Sequence, residues 1–154
     1  MVMMGKKELE EILPHRAPML LVEEAYIDED RRAHGFYTVR GDEWFLKGHF
    51  PGNPIVPGVI LCEMMAQSSS ITIKDEVQGK LPLFTGIEKA RFKRQVAPGD
   101  KLEFVCELTG GKGPFRFAEG TGFVDGKVFL KASMSFALVE KETQEAGNIC
   151  SAKY

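Results

Sequence analysis

Two residues able to move protons stand 14 positions apart in this chain, His49 and Glu63. His49 lies in the run Gly48-His49-Phe50-Pro51-Gly52-Asn53-Pro54-Ile55-Val56-Pro57-Gly58. Three prolines fix φ there and the glycines allow tight turns, so the loop is stiff and closely folded. Glu63 falls inside Val59-Ile60-Leu61-Cys62-Glu63-Met64-Met65-Ala66, which is otherwise apolar. A carboxylate in such surroundings is costly without a partner. A histidine held on a rigid turn supplies one, and the two make a candidate acid/base pair. Histidine as a residue type titrates at about 6.5 and is mostly neutral at pH 7, free to take a proton. A carboxyl whose pKa is raised by burial can give one, or orient a water that gives it. Gln67 follows Glu63 by one helical turn and can fix its orientation; it reads equally well as a polar residue at a subunit contact. Gly58 starts the helix, where unpaired backbone N–H groups meet the positive end of the dipole. Such an N–H can hold a developing oxyanion, although a plain helix-start glycine has the same signature.

These residues need elements to place them. Residues 6–13 predict a short amphipathic helix stopped by Pro14. Pro18 opens an apolar strand over 19–26, Asp28-Glu29-Asp30 turns the chain, and 33–40 reads as the returning strand. Residues 59–74 predict a long helix, with Gly79 a stop. It is apolar on nearly every side, which marks a buried helix. Leu102, Phe104, Cys106 and Leu108 then alternate with polar neighbours, and Phe115, Phe117 and Glu119 share a parity. Asp125-Gly126 is a hairpin turn signal, and a long alternating strand runs over 128–138. One helix that is apolar all round needs a sheet curled about it. The expected class is α+β, an antiparallel sheet wrapped around one long central helix, over a single domain of residues 1–154. The edges of such a sheet invite pairing with a second subunit. The polar stretch 141–154 reads as a frayed tail.

Composition bounds the remaining possibilities. The chain has 154 residues, 44% hydrophobic and 27% charged, with a net charge of −2, ordinary for one globular domain with its own core. No global field draws it to nucleic acid or membrane, and no apolar run reaches spanning length. The first residues lack the apolar core of a signal peptide. Cys62, Cys106 and Cys150 are an odd count without ligand spacing, which argues for free thiols in a reducing cytoplasm. No metal site is expected, because the three histidines are far apart and have no cysteine partners at ligand spacing. His15 reads as structural, closing the first helix onto the body, His34 as an exposed strand residue, and Cys62 as a small apolar one. Gly120-Thr121-Gly122 lacks the strand-to-helix context of a phosphate loop. Between residues 80 and 101 six basic residues face only Glu88 and Asp100. Of these, Lys89, Arg91 and Lys93 share a strand face by period two, with Arg94 beside them. A solvated strand face is the plain explanation; no aromatic interleaving favours nucleic acid.

Three segments carry a family resemblance. They are Leu13-Pro14-His15-Arg16-Ala17-Pro18-Met19-Leu20-Leu21-Val22, the run from Gly48 to Gln67, and Gly86-Ile87-Glu88-Lys89-Ala90-Arg91-Phe92-Lys93 with Pro98-Gly99-Asp100. In this order they resemble the 3-hydroxyacyl-[acyl-carrier-protein] dehydratases of bacterial type II fatty acid synthesis, of the FabZ type, over residues 8–140. The resemblance implies a hot-dog fold, a dimer as the catalytic unit and a trimer of dimers. It implies that His49 and Glu63 act together from two different subunits, and that the Gly58 amide holds the thioester carbonyl. The implied reaction turns (3R)-3-hydroxyacyl-[acyl-carrier-protein] into the trans-2-enoyl form. The chain would carry no cofactor of its own, because the substrate arrives on the phosphopantetheine arm of acyl-carrier protein. That carrier is acidic, which gives Lys89, Arg91, Lys93 and Arg94 a docking role. Glu63 matches the glutamate class; the sibling class that also isomerises the double bond has aspartate there.

The sequence departs from the family in places. Pro82 and Leu83 stand where paired tyrosines are common, one of them gating the acyl tunnel, and Gln95 replaces a usual proline. Gating and chain-length preference stay open. A bifunctional dehydratase/isomerase and a hot-dog thioesterase remain alternatives. The thioesterase would activate water with a carboxylate and would not need the His49 loop. A non-catalytic acyl sensor would need a DNA-binding segment for which a single hot-dog domain leaves no room.

Overall fold

The computed structural model describes residues 1–142, so the expected tail lies outside the described residues from 143 onward. A short helix α1 (Lys6–Ile12) ends before Pro14, and Leu9 anchors it in the interior. Strands β1 (Glu24–Ile27) and β2 (Ala33–Thr38) form an antiparallel hairpin. Helix α2 (Gly58–Ser70) follows, and four long strands complete the fold: β3 (Lys80–Phe92), β4 (Lys101–Lys112), β5 (Phe115–Val124) and β6 (Lys127–Glu140). All pair antiparallel in one sheet of order β1-β2-β4-β5-β6-β3. The alternating residues Leu102, Phe104, Cys106, Leu130, Ala132, Met134 and Phe136 point inward and pack with α2 residues Leu61, Met64 and Met65. The sheet curls around α2 in the hot-dog arrangement that the resemblance implies. Its edges are β1 and β3.

Close contact between helix and sheet depends on small residues. Gly35 on β2 lies directly against Ser68 of α2, where any side chain would overlap the serine. The last turn of α2 is serine-rich yet fully buried. Ser68, Ser69 and Ser70 manage this because each hydroxyl donates to the carbonyl four residues back, on Met64, Met65 and Ala66, at 2.9, 2.9 and 3.1 Å. Buried polar groups satisfied within their own helix cost little.

Several elements differ from the expectation. The helix expected over 59–74 is α-helical only to Ser70; the β-branched run Ile71-Thr72-Ile73, a poor helix former, continues it as a 3₁₀ turn. Nor is α2 covered on all sides, since Val59 in its first turn is 76% exposed. The strand expected over 19–26 shrinks to β1, because the backbone groups of Met19 and Leu21 bond to the Gln67 side chain instead of a neighbouring strand. Leu108 breaks its alternation at a register shift in β4 and becomes exposed. His34 is not exposed: its side chain is 12% accessible, bonded to Asp28 and Glu103 and stacked on Tyr26. The Asp125-Gly126 turn joins β5 to β6 with both residues at positive φ, 49° and 73°, as a two-residue hairpin of this type requires.

Candidate active site

The His49 loop is pinned at both ends. Phe45 and Leu46, in a 3₁₀ turn, are buried at its start, and Val56 is buried at its end, its N–H donating to the Val96 carbonyl at 2.8 Å. Between them Phe50 and Asn53 exchange two backbone hydrogen bonds, with Gly48 and Gly52 at positive φ. The histidine's own backbone is fully used: its N–H donates to Leu46 and its carbonyl accepts from Ile55. The side chain is held as firmly. Nδ1 lies 2.8 Å from the Ile55 carbonyl, and the ring stacks on Phe50. A carbonyl can only accept, so Nδ1 carries the hydrogen and Nε2 presents a lone pair. That is the tautomer a general base requires.

Glu63 sits on α2 with Oε1 bound twice. Gln67 Nε2 donates to it at 3.0 Å, and His15 Nε2 lies 3.2 Å away. Gln67 is buried and its amide is fully committed: Oε1 accepts from the Leu21 N–H, and Nε2 also donates to the Met19 carbonyl, both at 2.8 Å. Because only an oxygen can accept from Leu21, the amide cannot flip, and its second N–H stays aimed at Glu63. The hydrogen bond expected from the four-residue step between Glu63 and Gln67 is present.

Two expectations, the raised pKa of Glu63 and the purely structural role of His15, need correction here. Burial does push the Glu63 carboxyl upward, but the His15 hydrogen bond is stronger and Gln67 adds to it, so the group is held below the ordinary carboxylate range. Glu63 is an anion, suited to orienting a donor rather than serving as a raised-pKa acid. Within the chain, moreover, the histidine beside Glu63 is His15, and no hydrogen bond or ion pair joins Glu63 to His49 among the described residues. The sequence reading of His15 as structural does not anticipate this contact. A signal was present: Pro14 and Pro18 frame it as prolines frame His49, and Arg16 next to it donates to the carbonyls of Glu10, Leu13 and His15.

Gly58 opens α2, so its N–H is among the helix's unpaired first donors. The Phe92 ring lies over it, and a Cβ at position 58 would come within 2.9 Å of the ring. Each site segment carries an exposed apolar side chain at its flank: Met19, Phe50, Val59 and Phe92. Cys62 and Cys106 are buried thiols, both pushed up by burial, Cys106 to about 12, and neither is a ready nucleophile.

The basic residues are exposed but are not arranged by simple alternation. A register shift lies between Glu88 and Arg91, and Lys89 within it takes φ of 53°, so Lys89, Arg91 and Lys93 do not share a face by period two. Lys89 borders a hollow on the outer sheet face with Arg32 and Lys131, whereas Arg94 borders another with Asp100 and Asp125. None of the four forms an ion pair among the described residues. Arg91 and Lys93 flank Phe92, whose ring covers Gly58 at the start of α2.

Residues 13–133 match the FabA-like domain. Over 141 residues the chain is 43% identical to a 3-hydroxyacyl-[acyl-carrier-protein] dehydratase FabZ of Clostridium beijerinckii, spanning 88% of this chain and 99% of that one. The FabZ of Bacillus subtilis is 40% identical over 141 residues, 90% of this chain and 100% of the relative. Among solved structures, the dehydratase heterocomplex ApeI:P from Xenorhabdus doucetiae superposes with a TM-score of 0.73 at 24% identity, covering 87% and 91% of the two chains. Protein PH1136 of Pyrococcus horikoshii follows the same fold at a TM-score of 0.61 and 18% identity, over 85% and 93%. The chain belongs to the FabZ family of 3-hydroxyacyl-[acyl-carrier-protein] dehydratases.

Proposed function

We propose that this protein removes water from (3R)-3-hydroxyacyl chains carried on acyl-carrier protein, giving the trans-2-enoyl thioester during fatty acid elongation. Family membership supports the reaction class. The observation that carries the reading is the Nδ1–H bond from His49 to the Ile55 carbonyl, which leaves Nε2 as a fixed base. His49 Nε2 takes the weakly acidic C2 proton. Negative charge builds on the thioester oxygen, where the Gly58 N–H and the positive end of α2 stabilise it. The double bond forms between C2 and C3 as the C3–O bond breaks. Glu63, an anion, accepts from the C3 hydroxyl or from a water beside it and so orients the departing group. The proton that His49 collected leaves with the hydroxide, so none is consumed overall. No cofactor is needed beyond the phosphopantetheine arm that brings the substrate.

In this reading His49 of one subunit works with Glu63 of the partner subunit. Glu63 already spends Oε1 on its own chain's His15 and Gln67. The exposed apolar residues Met19, Phe50, Val59 and Phe92 beside the site, and the 13-residue edge strand β3, are surfaces that a second copy would cover. Three such dimers make the expected assembly. Lys89, Arg91, Lys93 and Arg94, exposed and without ion pairs among the described residues, are the surface offered to the acidic carrier. No described helix is long and apolar enough to cross a membrane, and we place the reaction in the cytoplasm. Mass spectrometry of 3-hydroxyacyl-carrier protein after incubation with the enzyme tests the proposal. Loss of one water is expected. Loss of the whole acyl chain would instead make this a thioesterase, and an unchanged substrate would remove the catalytic reading.

A further inference from the structure

We infer that His15 is a positioning residue for this reaction: its Nε2–H holds the Glu63 carboxylate so that one oxygen is anchored and the other is left to face the substrate. The inference rests on the dehydratase reading for its functional half and on geometry for the rest. His15 Nε2 and Gln67 Nε2 both address the same oxygen, Oε1, at 3.2 and 3.0 Å. Oε2 accepts no hydrogen bond among the described residues. Two donors on one oxygen fix the carboxylate plane and free the second oxygen for a ligand.

The imidazole is spent on this contact. A carboxylate accepts and does not donate, so Nε2 carries the hydrogen. Nδ1 of the same ring is buried and has no partner, the single side-chain nitrogen or oxygen in that condition among the described residues. An apolar side chain would close the loop onto the body without leaving a buried polar atom unsatisfied, which costs stability. What offsets that cost is the bond on the other side of the ring. The loop around His15 is built to hold it in place. Arg16 ties the end of α1 to His15 through three carbonyls, Trp44 Nε1 donates to the Pro18 carbonyl, and Gln67 clamps Met19 and Leu21 onto the helix that bears Glu63. Within the chain His15 is the titratable group facing Glu63 and Gln67 is the other polar one.

The test follows Glu63 directly. Carboxyl ¹³C NMR titration, with the Glu63 signal assigned by its loss in Glu63→Gln, is compared between the native protein, His15→Leu and His15→Gln. In His15→Leu burial outweighs the remaining Gln67 bond, so the Glu63 midpoint should rise above the ordinary carboxylate range. Turnover of 3-hydroxyacyl-carrier protein should fall about 10- to 100-fold, the worth of a hydrogen bond to a charged group, mainly in kcat rather than KM. The glutamine amide nitrogen reaches about where Nε2 sits, so His15→Gln should restore most of both losses. In the native protein, ¹⁵N shifts of His15 should show the hydrogen on Nε2. An unmoved Glu63 titration in His15→Leu, or a native His15 with hydrogen only on Nδ1, overturns the inference; the ¹⁵N measurement decides even if the leucine variant does not fold. A native enzyme that fails to dehydrate would refute the dehydratase reading instead and leave the titration result standing.

Discussion

Asparagine and alanine at position 49 separate two roles of one imidazole. The native ring donates from Nδ1 to the Ile55 carbonyl at 2.8 Å and presents Nε2 as the base. An asparagine Nδ2 sits close to the place of Nδ1, so His49→Asn keeps the donor and has no basic nitrogen. His49→Ala loses both. Each variant also loses the stacking on Phe50, so their difference isolates the bond to Ile55. A neutral hydrogen bond contributes a net stability of about 0.5–1.5 kcal/mol. For a chain of this size that corresponds to a Tm about 1–6 °C lower in His49→Ala than in His49→Asn. Turnover should not follow the same pattern. Removing a general base costs about 10²–10⁴-fold, which is about 3–5.5 kcal/mol of barrier, and both variants should lose it equally. Thermal unfolding and turnover of 3-hydroxyacyl-carrier protein, measured on the same preparations, check the two halves. If His49→Asn keeps more than about a tenth of native turnover, His49 is not the base. If alanine and asparagine are equally stable, the Ile55 bond contributes nothing and the argument for the tautomer fails.

Mixing inactive His49→Ala and Glu63→Gln proteins should restore activity if each site draws on two chains. Random exchange in a two-fold dimer leaves about a quarter of all sites intact, and activity that stays at zero after verified exchange would refute a shared site. Charge reversal at Arg91 and Lys93 should lower kcat/KM for carrier-bound substrate, most at low salt, because patches of opposite charge speed encounter and are screened; equal loss on coenzyme A substrates would mean that these residues serve the fold or the subunit contact. Gly35→Ala should destabilise by about 1–3 kcal/mol through overpacking against Ser68. Placing the glycine on the other side, in Gly35→Ala with Ser68→Gly, should recover much of that loss apart from about 0.5 kcal/mol for glycine in place of serine in a helix; an unchanged Tm in Gly35→Ala alone would show that helix and sheet are not in close contact there.

Much of the fold was legible along the chain because it follows from local rules. Period-two alternation marked β4, β5 and β6, Asp125-Gly126 marked the turn between the last two, and an apolar run without a polar face marked α2 as the element the sheet must enclose. The proline and glycine frame around His49 marked a stiff loop, and the four-residue step from Glu63 to Gln67 marked their contact. These inferences hold because each depends on residues close together in sequence, where backbone geometry alone fixes which side chains are neighbours.

What the chain order hid depends on contacts between distant segments. Nothing near residue 19 announces that the Met19 and Leu21 backbones will bond to a glutamine 48 and 46 positions away, and that diversion is why the expected strand shrank. The alternation through Lys89, Arg91 and Lys93 gave way to a bulge set by pairing with β6. His34 left the surface because Asp28 and Glu103 close over it from two other segments. The sign of the Glu63 shift was decided in the same way. Apolar neighbours in sequence predict a raised pKa, and only the folded chain brings His15 within 3.2 Å to reverse it. Residue order along the chain singled out His49, Glu63 and Gln67 and the elements that carry them, but not His15. The tertiary structure decided which histidine each carboxylate meets, because a hydrogen bond is settled over about 3 Å of space, whatever the number of residues between its ends.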